Sequence, residues 1–246
     1  MSSTSQPPHS GWAEPRERLE VDDLNPGALA INVAGMQPTG PLRGFGQMWQ
    51  KTYEVKLGRI SPALVIDTWK ANFEQFWPRG NHFYGPMRGI TPGSVAVLNL
   101  AQVGHAPPLI ATGVWVIYAD EDSFSFLTPQ GHMFAGMVTF SAFEAEGETV
   151  ARIQALIRAG DPLYDVSLRL GLGHAAEDAF WQTTLKNLAA HFQQPAQVTS
   201  TRLCLDPRVQ WREARNLWHN AAIRTGLYYL LAPFRAAARV IGQQHG

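Results

Sequence analysis

The side chains that could do chemistry are spread thinly along this chain. His174 and Asp178 lie four positions apart, a spacing that can place two metal ligands on one face of a helix. The sequence supplies no third ligand beside them, and such a pair is more often an ordinary surface pair than a metal site. His82, His105 and His132 fall in predicted loops and would bind a metal only if the fold gathered them. We therefore predict no metal site and no cofactor.

A second group of candidates follows the last predicted strand of the chain's centre, where Asp161, Tyr164 and Asp165 lie close together. An apolar wall around one of these carboxyl groups would raise its pKa and suit it to general acid catalysis. Ordinary turn chemistry is the alternative explanation for all three. The sequence contains no Walker loop, no Rossmann glycine pattern and no Gly-x-Ser-x-Gly elbow, so it predicts no defined catalytic machinery.

The elements that must position any site lie mainly in residues 94–160. Residues 149–158 alternate apolar and polar side chains, which is typical of a half-buried strand. Residues 109–118 are apolar on both faces, which predicts cover on both sides of that strand. Turn residues at 120–123 and 129–131 join neighbouring strands. The sequence therefore predicts an antiparallel meander.

Further elements flank this centre. Residues 48–57 predict a strand whose apolar face is interrupted by Lys51. Residues 61–77 predict a helix, because Ser61 is a good N-cap and proline is favoured at the next position. Residues 175–192 carry an apolar stripe at helical spacing and predict a long helix. After it, the sequence indicates one more strand and then helical segments.

This order of elements resembles the helix-grip fold of the SRPBCC superfamily, which includes START and Bet v 1-like proteins. The resemblance is carried by MWQKTYEVKL (48–57), SPALVIDTWKANFEQFW (61–77), the strands within 94–158 and AAEDAFWQTTLKNLAAHFQ (175–193). It implies an α+β fold in which a curved antiparallel sheet grips a long C-terminal helix around a deep apolar cavity. Six strands are counted where that fold often has seven, so we expect the missing strand near 81–93 or 166–172.

The resemblance covers only the middle of the chain. Residues 1–45 are rich in Ser, Pro and Gly and predict a flexible or loosely packed N-terminal arm, with 1–20 mostly disordered. Residues 46–195 form the predicted helix-grip domain. Residues 196–246 are predicted to be a strand plus a helical extension packed on that domain.

Composition excludes several classes of protein. Basic and acidic residues number 20 each and the formal net charge is zero, so the basic surface of a nucleic-acid binder is not expected. The single cysteine, Cys204, excludes an intramolecular disulfide and a cysteine-rich metal site. No secretory signal and no apolar run of membrane-spanning length is visible. A cytoplasmic protein is the default expectation.

The resemblance implies a cavity, and the sequence offers side chains to line it. We predict that the following bind a hydrophobic small molecule or lipid: Tyr84, Trp115, Phe124, Phe126, Phe134, Phe140, Trp181 and Leu185. Aromatic residues of this kind could instead fill the core completely, but small residues among them leave room.

Two further hypotheses remain open. The first is a cavity enzyme, such as a cyclase, hydratase or hydrolase, with polar groups drawn from His82, Tyr84, Arg88, His132, Asp161 and Tyr164. The second is peripheral membrane contact through residues 223–241, which combine apolar side chains with arginine as their only charged residue. Packing of that segment on the outer face of the sheet is the alternative. The oligomeric state is not predicted.

Overall fold

The computed structural model describes residues 11–21 and 26–235. Its strands are β1 (Pro38–Thr39), β2 (Met48–Lys56), β3 (His82–Tyr84), β4 (Val95–Leu100), β5 (Ile110–Ala119), β6 (Ser123–Pro129), β7 (Phe134–Ala145), β8 (Glu148–Ala159) and β9 (Val198–Asp206). Its α-helices are α1 (Pro62–Ala71), α2 (Pro162–Arg169), α3 (Leu172–His191) and α4 (Ala221–Leu230). Short 3₁₀ helices cover Pro41–Arg43, Phe73–Phe76 and Trp211–His219.

The strands form one antiparallel sheet in the order β3-β4-β5-β6-β7-β8-β2-β9, with β1 paired to the end of β6. The meander from β3 to β8 places sequence neighbours side by side, and β2 then pairs with β8 along almost its whole length. This is the α+β helix-grip architecture that the element order predicted. The missing strand is β3, which lies in the first of the two expected windows.

The helical part of the prediction is also confirmed, with shifted boundaries. The long helix α3 begins three residues earlier than the apolar stripe indicated and packs against β2. The second window for a missing strand, 166–172, instead contains the end of α2. Asp161 caps α2, since its Oδ1 accepts from the backbone nitrogens of Leu163 at 2.8 Å and Tyr164 at 3.2 Å.

An aromatic cluster fills one end of the space inside the curved sheet. Trp69 of α1 lies 5.3 Å from Phe140 between ring centroids, and Phe73 lies 5.1 Å from the same ring. Phe124 stacks on Phe140 at 4.7 Å. Lys70 Nζ donates to the carbonyl of Asp120 at 2.9 Å, which fixes α1 beside the turn between β5 and β6. We call this the closed end of the sheet.

A second layer covers the outer face of the sheet, as the doubly apolar strand required. Leu19 and Val33 are fully buried against Trp115, Val95 and Val97. Residues 1–20 were expected to be mostly disordered. Within the described part of that stretch, Leu19 is buried and the backbone nitrogen of Ala13 donates to the carbonyl of Ile117 in β5 at 2.8 Å. The expectation of disorder for residues 1–10 lies outside the described residues.

The segment after β9 packs on the outer face as well. Thr225 Oγ1 of α4 accepts from the backbone nitrogen of Ala111 in β5 at 3.1 Å. Asn32 Nδ2 donates to the carbonyl of Ala111 at 2.8 Å, so the arm before β1 and helix α4 hold the start of β5 together. The predicted turn at 129–131 is part of this contact, because the carbonyl of Gly131 accepts from the nitrogen of Ala221. Gly131 has a φ of +90°, and a Cβ there would lie 2.0 Å from the carbonyl oxygen of His219.

Candidate functional site

A cavity of about 700 Å³ lies between the inner face of the sheet and helix α3. It occupies the end of the sheet where β4, β6 and β8 finish and β5 and β7 begin, which we call the open end. Sheet residues that line it include Leu100, Ile110, Val114, Thr128, Gly136, Val138, Ala155 and Ile157. Helical residues that line it include Tyr164, Ser167, Leu168, Leu172, Ala176, Ala179 and Thr183. The walls are therefore mostly aliphatic.

Aromatic side chains separate the cavity from the closed end. Phe126 and Trp181 both line the cavity, and their ring centroids lie 5.4 Å and 5.6 Å from that of Phe140. Trp77 and Phe180 also line it and contact each other at 5.0 Å. The packed cluster thus forms the inner wall of the cavity and limits its depth.

Three of the eight predicted ligand-binding residues line this cavity: Phe126, Phe134 and Trp181. Phe124, Phe140 and Leu185 are fully buried in the hydrophobic core and contribute packing. The sequence showed that these side chains face inward, but it could not show which half of the interior is filled.

The other two predicted residues, Trp115 and Tyr84, lie on the opposite face of the sheet. Trp115 is buried beneath the N-terminal arm, and Tyr84 packs against the outer-face residues around Leu19 and Val33. Side chains of a strand alternate between its two faces, so Val114 and Phe83 point inward and their neighbours point outward. The prediction that Trp115 and Tyr84 line the cavity was therefore wrong: their sequence neighbours Val114 and Phe83 face the interior instead.

His132 is a polar group on the cavity wall. Its Nδ1 lies 3.0 Å from both the backbone nitrogen and the carbonyl oxygen of Phe134, which fixes the ring. Burial lowers the pKa of His132 to about 4, so the imidazole is neutral at pH 7. Because the backbone holds Nδ1, Nε2 is the nitrogen left for a ligand.

Tyr164 lines the cavity from helix α2. Its Oη accepts from the backbone nitrogen of Ala222 at 3.3 Å, and burial raises its pKa, so the phenol stays protonated. Asp161 does not line the cavity: its Oδ2 accepts from Asn220 Nδ2 at 2.8 Å while Oδ1 caps α2. Burial raises the pKa of Asp161, but the carboxyl group has the turn-forming role that sequence reasoning offered as the alternative.

A buried ionic network joins β2 to α3 beside the cavity. Lys51 Nζ lies 2.8 Å from Glu177 Oε2 and 2.7 Å from Asp178 Oδ1. Tyr53 Oη donates to Asp178 Oδ1 at 2.6 Å. Burial raises the pKa of Glu177, whereas hydrogen bonds from Lys51 and Tyr53 outweigh burial and hold the pKa of Asp178 below its usual value. Glu177 also lines the cavity. The sequence signal for this network was the lysine that interrupts the apolar face of β2.

In the part of the chain that the structure describes, the candidate histidines are not gathered into a metal site. Asp178 is engaged by Lys51, and His174 packs edge-on against Trp49 at 5.0 Å between ring centroids. His82 pairs with Glu74 at 3.1 Å and His105 lies in the exposed loop between β4 and β5. Within residues 11–21 and 26–235, no three His, Cys, Asp or Glu side chains are grouped to hold an ion.

A smaller cleft of about 410 Å³ lies beside the cavity and shares only Leu168 with it. Polar and apolar groups share its walls equally, and the lining residues include Trp49, Asp165, Arg169 and Arg202. Asp165 Oδ2 is paired with Arg169 Nε at 2.6 Å, so two of its charges are already matched. We assign the candidate ligand site to the larger, apolar cavity.

Comparison with known proteins gives structural similarity only. No protein-family model matches the chain, and no curated protein matches it. The di-domain ARO/CYC StfQ from the steffimycin biosynthetic pathway has a TM-score of 0.44 at 9% identity over 60% of this chain, which spans about half (51%) of that protein. Ginseng major latex-like protein 151 from Panax ginseng has a TM-score of 0.41 at 14% identity, covering 60% of this chain and 99% of that one. The helix-grip assignment rests on the strand order and pairing described above.

Among the described residues, no helix has the length and apolarity needed to cross a bilayer.

Proposed function

We propose that this chain binds or carries a hydrophobic small molecule or lipid in the cavity between the sheet and α3. The observation that supports the proposal most strongly is the cavity itself, about 700 Å³ in volume and walled mainly by aliphatic and aromatic side chains. Small-molecule sites in proteins usually have volumes of about 300–1,000 Å³ and apolar walls with a few polar groups. Protein interiors are otherwise close-packed, which favours a ligand-binding role for an apolar space of this size.

The few polar groups on the cavity wall suit orientation of a ligand. Neutral His132, protonated Tyr164 and Thr128 line the cavity and offer hydrogen bonds without a full charge. Thr128 Oγ1 already donates within the sheet. His132, Tyr164 and the hydroxyl groups of Ser167 and Thr183 are the neutral polar groups that remain on the wall. A mainly apolar molecule with one hydroxyl or carbonyl group fits these walls.

The test is native mass spectrometry of the protein purified from its own cells, followed by denaturing extraction of any adduct. We expect a stoichiometric apolar adduct on the wild-type chain. The variant Val138→Trp places an indole in the cavity and should lose the adduct. The matched control Leu64→Trp adds the same ring to an exposed position of α1 at the closed end and should keep it. Wild-type protein without an adduct, together with no uptake of added fatty acid or fused-ring aromatic, would contradict the proposal.

A cavity enzyme is the second candidate function, and the observation that supports it is that His132 and Tyr164 both line the cavity. These two belong to the polar set that the sequence suggested; Asp161 caps a helix, and His82, Tyr84 and Arg88 do not line the cavity. An enzyme would change the mass or structure of a bound molecule during incubation. The variants His132→Gln and Tyr164→Phe would then retain binding and lose that conversion. Unchanged ligand recovered from the wild type supports carriage. Cytoplasmic localisation stays a prediction.

A further inference from the structure

Exposed apolar side chains gather around the open end of the sheet. Each of the following is at least 49% exposed: Val103 and Leu109 in the β4–β5 loop, Leu163, Val166, Leu170 and Leu172 in α2 and at the start of α3, and Leu227, Leu230, Leu231 and Phe234 in or just after α4. Soluble proteins seldom expose so many large apolar side chains in neighbouring elements unless the surface has a partner.

The fold places these three elements beside the cavity entrance. Leu100 and Ile110, which flank the β4–β5 loop, line the cavity, and so does Leu172 at the start of α3. Helix α4 is hydrogen-bonded to two elements beside the entrance. The backbone nitrogen of Ala222 donates to Tyr164 Oη of α2, and Thr225 Oγ1 accepts from the backbone nitrogen of Ala111 in β5. The exposed residues on these elements therefore form one rim, which we call the apolar rim.

Charge indicates the chemistry of the partner. Positive and negative residues balance over the whole chain, at 20 each. Residues 217–246 nevertheless contain no Asp or Glu, and their charged residues are Arg224, Arg235 and Arg239. The guanidinium of Arg235 lies 3.8 Å above the ring of Tyr228, next to the apolar rim. At helix α2, Asp165 is paired with Arg169 and Asp161 accepts from Asn220, so these carboxylates are already engaged. Apolar side chains flanked by Arg224 and Arg235 fit the interface of an anionic lipid bilayer.

We propose that the apolar rim docks on an anionic membrane surface and places the cavity entrance against the lipid. The ligand class is then a molecule dissolved in the bilayer, which enters the cavity without crossing water. The loading step rests on the proposed ligand-binding function, whereas the docking step does not. Membrane contact through α4 was one expectation from the sequence, and the structure adds its relation to the cavity.

The test of docking is flotation of the full chain with vesicles of phosphatidylcholine and phosphatidylserine, compared with vesicles of phosphatidylcholine alone. We expect the wild type to float with the anionic vesicles and at least tenfold less with the neutral ones. The double variant Leu230→Glu with Phe234→Glu should lose at least tenfold of the anionic partitioning. The control Leu64→Glu changes a similarly exposed leucine on helix α1 at the closed end and should float like the wild type.

Three results would overturn the proposal: wild-type protein that does not float, a double variant that floats as well as the wild type, or equal flotation with neutral vesicles. Circular dichroism of each variant shows whether it is folded. Val138→Trp separates docking from ligand binding, because it fills the cavity and leaves the rim intact. Flotation of Val138→Trp at the wild-type level, with its ligand lost, supports both proposals. If the wild type floats but binds no apolar molecule, the result supports membrane docking and contradicts only the proposed ligand-binding function.

Discussion

Lys51 illustrates how a single residue connects the fold to the cavity. It is 1% exposed, and its charge is matched by Glu177 and Asp178 on α3. A buried ion pair contributes little net stability compared with apolar residues of the same size, but losing one partner leaves an unpaired buried charge. The network therefore fixes the position of α3 on β2, and with it the width of the cavity.

We expect Lys51→Met to destabilise the protein by about 3–5 kcal/mol, because Glu177 would remain buried without its counter-ion. Chemical denaturation measures the change in the free energy of unfolding. Lys56→Met on the same strand is the matched control: its ion pairs with Glu146 and Glu148 are exposed, and their loss should change stability far less. Adding Glu177→Leu to Lys51→Met should recover much of the stability. Similar effects for Lys51→Met and Lys56→Met would show that the network is not coupled to the fold.

His132 makes stability depend on pH. Its pKa is about 4 in the folded chain and about 6.5 when exposed, so between these values the unfolded state binds the extra proton. The contribution of neutral His132 to the free energy of unfolding is therefore fully present above about pH 6.5. It falls as the pH drops toward 4, by at most about 1.4 kcal/mol per pH unit. His174 acts with the same sign, since burial also lowers its pKa to about 4.

The corresponding measurement compares the free energy of unfolding of the wild type and His132→Gln at several pH values between 4 and 7. We expect the variant to show a shallower decline over this range. His105→Gln, which removes an exposed loop histidine, is the matched control for the substitution itself. Burial raises the pKa values of Glu177 and Asp161, so these groups make the protein more stable as the pH falls, opposite to His132. The comparison therefore uses the difference between the stability-versus-pH slopes of the wild type and the variant. Parallel slopes for wild type and His132→Gln would contradict this assignment.

At the scale of elements, the outer layer explains how β5 can be apolar on both faces. The strand is covered inside by the core and outside by the N-terminal arm and α4. Asn32 and Thr225 satisfy the carbonyl and nitrogen of Ala111, which would otherwise be buried without partners. The arm and α4 thus cover the outer face of β5 and satisfy its backbone at Ala111.

We expect Thr225→Val to cost about 1–3 kcal/mol of stability, because it keeps the shape of the side chain but leaves the nitrogen of Ala111 without an acceptor. Hydrogen exchange should show faster exchange of that amide. Thr201→Val in the exposed part of β9 is the control and should change stability by no more than about 0.5 kcal/mol. Unchanged protection of Ala111 would mean that α4 does not stabilise the start of β5.

Elements were easier to predict from the sequence than the site. Alternation along β8 and the helical stripe of α3 depend on local periodicity, and so both could be located. The two apolar faces of β5 correctly required an outer layer, but nothing local showed that Leu19 and Val33 would supply it. Trp115 and Tyr84 were assigned to the wrong face because register in a curved sheet depends on partners that are distant in sequence. The ion pairs of Lys51 bridge more than 120 positions and have no local pattern.

For the whole molecule, the central feature is the space between the curved sheet and α3, which is packed at one end and forms a cavity at the other. Aromatic side chains around Phe140 pack the closed end, whereas aliphatic side chains surround a cavity of about 700 Å³ at the open end. The division of the chain into an arm, a helix-grip domain of residues 46–195 and a C-terminal extension stays a proposal. In the described residues, both flanking parts pack on the sheet.

The most direct test of apolar ligand binding uses the methionine methyl groups as reporters. Met133 and Met137 line the cavity, whereas Met36, Met48 and Met87 do not. Isotope-labelled methionine methyl resonances would be followed by NMR during separate titrations with oleate and with naphthol. We expect saturable shifts at Met133 and Met137 with at least one probe and little change at Met87, which is 84% exposed. Cavity methyl groups that stay unshifted with both probes, or shifts confined to Met87, would contradict the account.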